Sequence, residues 1–333
     1  MTTITFEDVE SARSAYQAKL SAAHKTRITA FFIILAIFLV VGLAIFFANP
    51  NLRSLINFQN GFPIHVMMPM IFTIGFPVIF ALVISTLIAH LKHPSTKEQQ
   101  AYRHVYKAYF VSQQLQNVFS SLRYDHSAGL DSSALSSTGL FYTGDIYRSN
   151  DLVVAKYKDV DFTQADVDIK KKVKERDKDG NIEERIVPVF KGRFFIFVFP
   201  KQFNSELIVT APSQLKIIHP GNTNQLETES IDFNRRFITY AGNGPEAFYI
   251  LTPDIMANLE TLADQYPDQL SLVFTGNKLY LAIDDNGDAF EPPADSSVPL
   301  DEKHELSRVI ADIQPIINLV DQLKLFRTRS QTP

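Results

Sequence analysis

The sequence predicts an α+β domain carried on an α-helical two-span transmembrane hairpin. Three observations predict it. Residues 28–47 and 64–91 are runs of 20 and 28 residues without Lys, Arg, Asp or Glu, and each can cross a hydrocarbon core of roughly 30 Å at about 1.5 Å per helical residue. Beyond Leu91 the chain turns to segments of alternating apolar and polar residues bounded by turn chemistry, the pattern of half-buried strands. Helical stretches precede, interrupt and follow those segments, so this part reads as α+β.

Composition narrows the function classes. Of 333 residues, 46% are hydrophobic, and the two apolar runs hold a large share of them. The net charge of -4 and a pI near 6.1 argue against a dedicated nucleic-acid binder, which needs a strong basic excess to neutralise phosphates. Cys is absent, which excludes disulfides and thiolate metal sites and fits a reducing cytosol.

Residues 1–27 are polar, and Phe6, Val9, Ala12, Tyr16 and Leu20 fall near helical spacing, which predicts a cytoplasmic amphipathic helix feeding the membrane. The apolar run that follows is longer and later than that of a cleaved signal peptide. Basic residues set the orientation of the hairpin at 28–91. Arg13, Lys19, Lys25 and Arg27 precede the first span, Arg53 alone lies between the spans, and Lys92, Lys97, Arg103 and Lys107 follow the second. By the positive-inside rule both termini face the cytoplasm, and the chain reads as a multi-pass membrane protein. Pro69, Gly75 and Pro77 should kink the second span. Thr73-Ile74-Gly75-Phe76 loosely matches a channel filter, but a filter sits in a re-entrant loop and not inside a span. A subunit of an oligomeric channel or transporter, lined by Thr73, Ser85 and Thr86, is one alternative reading.

The remainder, 92–333, reads as the cytoplasmic α+β domain. A helix is expected over Lys97–Leu122, with Tyr102, Val105, Tyr106, Tyr109 and Phe110 on its apolar face. The Ser-, Ala- and Gly-rich stretch 127–139 suits a loop with one short capped helix. Leu152–Ala155 begins the strands, and a long β-hairpin, 163–189, turns at Asp177-Lys178-Asp179-Gly180-Asn181. Phe190–Phe199 should be a buried strand, with Gly192 where a bulge or a close backbone approach is needed. Further strands are expected at Leu207–Thr210 and Leu215–His219. Thr252-Pro253 starts a helix whose inward face is Met256, Leu259, Leu262 and Ala263. Gln269–Phe274 and Lys278–Ile283 flank Thr275-Gly276-Asn277 as a second hairpin. The C-terminal helix, 301–326, carries the stripe Leu306, Ile310, Ile313, Ile317, Val320 and Leu323, with Pro315 as a possible break.

No common catalytic motif is present: there is no nucleophile elbow, phosphate-cradling Gly loop or His-Glu-x-x-His. His90 and His93 share a helix face but supply two ligands where a zinc site needs at least three. Asp125-His126 with the hydroxyls up to Ser137 is the material for an unrecognised hydrolase, although triads are assembled by the fold and not by adjacency. Asp284-Asp285-Asn286-Gly287-Asp288 has the early spacing of a calcium loop, yet Ala289 and Asp295 stand where the turn Gly and bidentate Glu belong, so it reads as an ordinary turn. Lys170, Lys171, Lys172 and Lys174 are candidate contacts for membrane lipid or a partner, diluted by neighbouring acids.

Phe190-Lys191-Gly192-Arg193-Phe194-Phe195, Glu229, Phe233 and Phe237, Glu246 to Pro253 with Met256 and Leu259, Asn277 to Ile283 and Phe290-Glu291-Pro292 resemble the DUF3137 family over roughly Tyr102–Pro292. The resemblance implies a bacterial protein with two membrane spans before its domain and no established activity. Here Tyr124-Asp125-His126-Ser127 stands where such proteins usually carry a Pro-containing stretch. Family genes often lie beside those of LemA-type membrane proteins, which implies such a partner. The expectation is a non-catalytic interaction or assembly module that binds a protein partner or assembles as a homo-oligomer, without nucleic acid. It assigns no catalytic residue, cofactor or metal.

Overall fold

In the computed structural model the described residues are 4–48, 79–80, 82–86, 96–158, 160–176 and 182–322. They divide into two compact units, one of residues 1–106 with 293–300, the other of 107–292 with 301–333.

The first unit is built on α1 (Phe6–Ala48), 43 residues in one unbroken helix of about 65 Å. The amphipathic segment and the first apolar run are therefore continuous. Thr5 and Asp8 cap its start reciprocally: the Thr5 N–H donates to Asp8 Oδ2 at 2.8 Å and the Asp8 N–H to Thr5 Oγ1 at 3.3 Å. The stretch Phe6–Phe38 includes a window long and apolar enough to cross a membrane, with mean hydropathy 1.4 and only 6% of it buried. Phe32, Ile33 and Ile37 all point outward, as lipid-facing side chains do. Nearer the N-terminus, Tyr16 stacks on Tyr102 of α2 (Thr96–Tyr106) at 6.1 Å, Lys19 pairs with Glu98, and the Arg13 guanidinium donates to the Ser296 carbonyl. Residues 79–80 and 82–86 are helical, and Phe80 meets Phe38 edge to face at 5.4 Å. The rest of the expected second span, with Pro69, Gly75, Pro77 and both His90 and His93, lies outside the described residues.

The second unit opens with a π-helical turn, Lys107–Val111, then α3 (Ser112–Val118), β1 (Ser120–Asp125), the short α4 (Ser133–Ser136), β2 (Ile146–Tyr157), β3 (Val160–Arg176) and β4 (Ile182–Thr210). After a 3-10 turn at Pro212–Lys216 come β5 (Asn224–Leu226), α5 (Ile231–Arg236), β6 (Ile238–Ala241), α6 (Gly244–Ile250), α7 (Pro253–Gln265), β7 (Leu270–Ile283) and α8 (Glu302–Gln322). The strands form one antiparallel sheet in the order β1-β2-β3-β4-β6-β5, and β7 runs along the opposite edge of β4. This is an α+β fold.

Alternation along β3 sorts the two faces of the sheet. Ala165, Val167 and Ile169 join Leu135, Phe141, Phe194 and Tyr280 in one apolar core. The other face carries Phe162, Gln164 and Asp166 opposite Phe197, Phe195 and Arg193 of β4. There the π-helical turn, α3 and α8 pack on one another, and Phe119 meets Phe162 at 5.0 Å. Beyond Lys170 and Pro188 neither β2 nor β7 continues, so β3 and β4 extend as a bare two-stranded arm to Arg176↔Ile182.

Several expectations are corrected. The helix expected over Lys97–Leu122 stops at Val118, and Ser120–Asp125 is a strand. Ser121, at φ 52°, is in the left-handed region that no helix continues through. Ile182–Val189, Phe190–Phe199 and Leu207–Thr210 are one strand, β4. Leu215–His219 is no strand: Leu215 sits in the 3-10 turn, and Ile218 makes a single bridge to Phe141. The second hairpin is likewise a single strand, β7, because Gly276 at φ 58° absorbs an irregularity opposite Phe203 while β4 carries the pairing through. Ile255, not Met256, faces inward on α7. α8 passes through Pro315 unbroken, and among its described apolar residues Val309, Ile313 and Val320 are buried while Ile310 is exposed. Gly192 is where closeness was expected: a Cβ there would stand 2.0 Å from the Ile283 carbonyl oxygen.

Candidate functional site

On the second face of the sheet, three separate segments, joined by Tyr124 of β1 and Asp166 of β3, bring ionisable groups into one largely buried cluster. The first is the π-helical turn, a one-residue widening of the kind that recurs at functional sites. It turns Lys107 inward, where only 3% of the residue is exposed. The second is a bulge in β2, where the register to β3 shifts between Asn150 and Val153. Asp151 sits in it at φ 55°, a conformation Asp tolerates better than most residues. The bulge aims the Asp151 carboxylate into the interior, fully buried. The third is the loop after β7.

That loop explains the acidic run. Asp284 Oδ1 accepts the Lys191 N–H at 2.9 Å and its Oδ2 the Lys216 ammonium at 2.6 Å. Asp285 Oδ2 accepts the Arg193 guanidinium at 2.7 Å, and its Oδ1 the Gly287 N–H at 2.9 Å. The Phe290 N–H donates to Asp312 Oδ2 at 3.1 Å. With the loop fixed in this way, Asp288 and Glu291 are left facing the cluster.

Lys107 Nζ donates to Asp151 Oδ2 at 2.6 Å and to Glu291 Oε1 at 2.7 Å. Tyr124 from β1 donates to Asp151 Oδ1 at 2.7 Å, and Asn150 Nδ2 to Asp151 Oδ2 at 2.6 Å. Asp166, on β3 directly across from Asn150, accepts the Ala289 N–H through Oδ2 at 2.6 Å. Its Oδ1 is buried without a hydrogen-bond partner, as are both amide atoms of Gln164 two residues earlier on the same face. Four carboxyl groups thus converge here, and the Lys107 ammonium pairs with two of them, Asp151 and Glu291.

The electrostatics follow from burial. Burial works against the Lys107 charge, but Asp151 and then Glu291 outweigh it and hold the ammonium above the ordinary lysine value. Burial, reinforced by Asp151 and Asp288, pushes the Asp166 carboxyl up to about 8. Tyr124 is raised too, by burial and then by Asp151. Every ligand atom on offer is oxygen, which suits a proton or a hard cation and not a soft metal.

Other residues singled out in the sequence lie elsewhere. Lys170, Lys172 and Lys174 share one face of the bare arm and Lys171 the other; Lys170 pairs with Asp168 at 2.9 Å and Lys172 with Glu184 at 3.0 Å. Asp125 Oδ1 is taken up by the Ser127 N–H and hydroxyl at 3.0 and 2.8 Å and by the Ala128 N–H at 3.1 Å, a local turn. Ser85 and Thr86 both donate to the Leu82 carbonyl of their own helix. Sequence reasoning named Asp288 only as part of a turn, Lys107 only as a flanking charge and Tyr124 and Glu291 only within the family resemblance, and it assigned none of these, nor Asp151 or Asp166, to a site, because they are joined by tertiary contacts alone. One local signal existed: a Lys one position from Tyr106 in the apolar stripe of a helical pattern.

The described residues therefore define a class: a helix apolar enough to cross a membrane, and an antiparallel α+β unit with a buried carboxylate cluster. Residues 188–325 match the family model DUF3137, described as a protein of unknown function, which supports the resemblance read from the sequence. The matched stretch includes the loop bearing Asp288 and Glu291 but not Lys107, Asp151 or Asp166. No curated protein matches the chain. Among solved structures, the crystal structure of the mycobacterial trehalose monomycolate transport factor A, TtfA, is similar at 12% identity, covering 69% of this chain and 98% of that chain, with a TM-score of 0.34. A likeness of that degree carries no argument about function.

Proposed function

We propose that the chain is a non-catalytic interaction module of a bacterial inner membrane, anchored by two spans with both termini in the cytoplasm, whose α+β unit docks a partner protein or a second copy. One observation carries the docking role. A two-stranded ribbon is marginal in water by itself, yet the arm extends beyond the sheet with Ile182 63% and Ile186 53% exposed. Both isoleucines share a face with Lys172, Lys174 and Arg176. Apolar side chains on a face where cations outnumber the one acid, Glu184, suit an acidic surface with an apolar centre, and the family resemblance supports a LemA-type membrane protein as its source. The exposed apolar side chains of α1 support the anchor.

A photo-crosslinking residue placed at Ile186 in the full chain, in native membranes, should yield discrete adducts with a second copy or with one partner protein. The same residue placed at exposed Arg235 should yield none. Equal yields at the two positions, or no adduct at Ile186, would remove the arm as the docking element.

A further inference from the structure

We propose that Asp151, Asp288 and Glu291, with Asp166 behind them, form a binding site for a hard divalent cation, Ca²⁺ before Mg²⁺. The site goes beyond the interaction reading and does not depend on it.

Geometry supplies the first argument. One carboxylate oxygen from each of Asp151, Asp288 and Glu291 lies within 4.8 Å of the other two. Calcium holds oxygens at about 2.3–2.6 Å, so two ligands on opposite sides of one ion are roughly 5 Å apart. Three oxygens this close fit a single coordination sphere.

Asp166 supplies the second, independent argument. Only 4% of it is exposed, and its Oδ1 has no donor although the carboxyl lies within hydrogen-bonding reach of Asp288. A buried carboxyl set against another carboxyl is costly unless a shared proton or a cation stands between them or beside them, and a cation there would also give the unpartnered Oδ1 a ligand role. Lys107 does not meet that need, because its ammonium is directed at Asp151 Oδ2 and Glu291 Oε1. It acts instead as the outer partner that orients two ligands, as groups beyond the first shell do in metal sites.

The choice of ion follows from the donors. With no Cys in the chain and no His in the cluster, soft and borderline metals have no preferred ligand. Mg²⁺ usually keeps several waters and takes one or two carboxylates, whereas three or four converging carboxylates suit Ca²⁺. Asp288 is exposed and marks the way in. A bound ion would tie the β2 bulge, β3 and the loop after β7 together.

The test uses the full chain in nanodiscs after chelator treatment. Tb³⁺ is the first probe: the chain has no Trp, so sensitised emission must come from tyrosine, and Tyr124 donates directly to Asp151. Saturable emission displaced by Ca²⁺ more readily than by Mg²⁺ is the expected result. With Ca²⁺ at a hundredfold excess over its Kd, the melting temperature should rise by about 5–10 °C. Asp288→Asn and, separately, Glu291→Gln should each weaken Ca²⁺ binding at least tenfold, while Asp232→Asn, on exposed α5, should leave it unchanged. Absence of any saturable Tb³⁺ or Ca²⁺ response would overturn the site. So would undiminished binding in Asp288→Asn and Glu291→Gln together. Stability that follows pH but ignores Ca²⁺ and Mg²⁺ would show that the cluster holds a proton only, and would overturn it equally.

Discussion

Lys107 satisfies Asp151 and Glu291 at once, so its removal would strand two carboxylates beside Asp166. Side-chain exposure of 4% and 0% at Lys107 and Asp151 puts this pair among buried ion pairs, where deleting one partner costs about 3–5 kcal/mol. Lys107→Met should lower the unfolding free energy of the full chain by that amount in denaturant titration. Adding Asp151→Asn to it should recover part of the loss, because one stranded charge is then gone. A smaller effect of the other sign concerns acid. Arg13 hydrogen-bonds Glu10 and holds its carboxyl below the ordinary value of 4.5, against partial burial and with help from the Leu300 N–H. A depressed carboxyl contributes in full above its unfolded value, and the contribution fades as pH falls through the folded one. Thermal melts below pH 4.5 should therefore lose stability more steeply in the native chain than in Glu10→Gln.

Elements were legible in the sequence where one periodicity ruled a whole segment. The Thr252 cap is an example: its hydroxyl accepts the Ile255 N–H at 3.4 Å at the start of α7, and Thr252→Ala should cost about 1 kcal/mol in the same titration. Segments were misread where turn-like residues sit inside a continuous strand. Thr275-Gly276-Asn277 has hairpin chemistry, but the sheet edge of β4 supplies more hydrogen bonds to a straight β7 than a local turn could. Similarly, Lys97–Leu122 keeps helical spacing almost to Leu122, and only the pairing of β1 with β2 ends it. The cluster was illegible for another reason, since the bulge that aims Asp151 is a register shift between strands and has no counterpart in local pattern. The arm behaves differently from all of these. Because Ile182 and Ile186 are solvent-exposed, Ile182→Ser with Ile186→Ser should change unfolding free energy by no more than about 0.5 kcal/mol each. Their effect should appear in crosslinking alone.

At the scale of the whole molecule, the charge asymmetry around the apolar runs makes a claim that labelling can check. An impermeant thiol reagent applied outside should modify a Cys introduced at Asn57 and spare one introduced at Gly180, and the reverse pattern would invert the orientation. The long β4 carries a different kind of consequence. Its β3 edge is paired by a neighbour in sequence, but its other edge waits for β7, which leaves the ribosome only after α7 has been made. Until then Phe194-Phe195-Ile196-Phe197-Val198 stands as a bare apolar strand edge on a nascent chain, the kind of template on which unfinished chains stick to one another. Chains terminated before Leu270 should therefore be recovered as aggregates, whereas chains extended past Ile283 should not. In the cell, that interval makes the unit's early life a matter for chaperones.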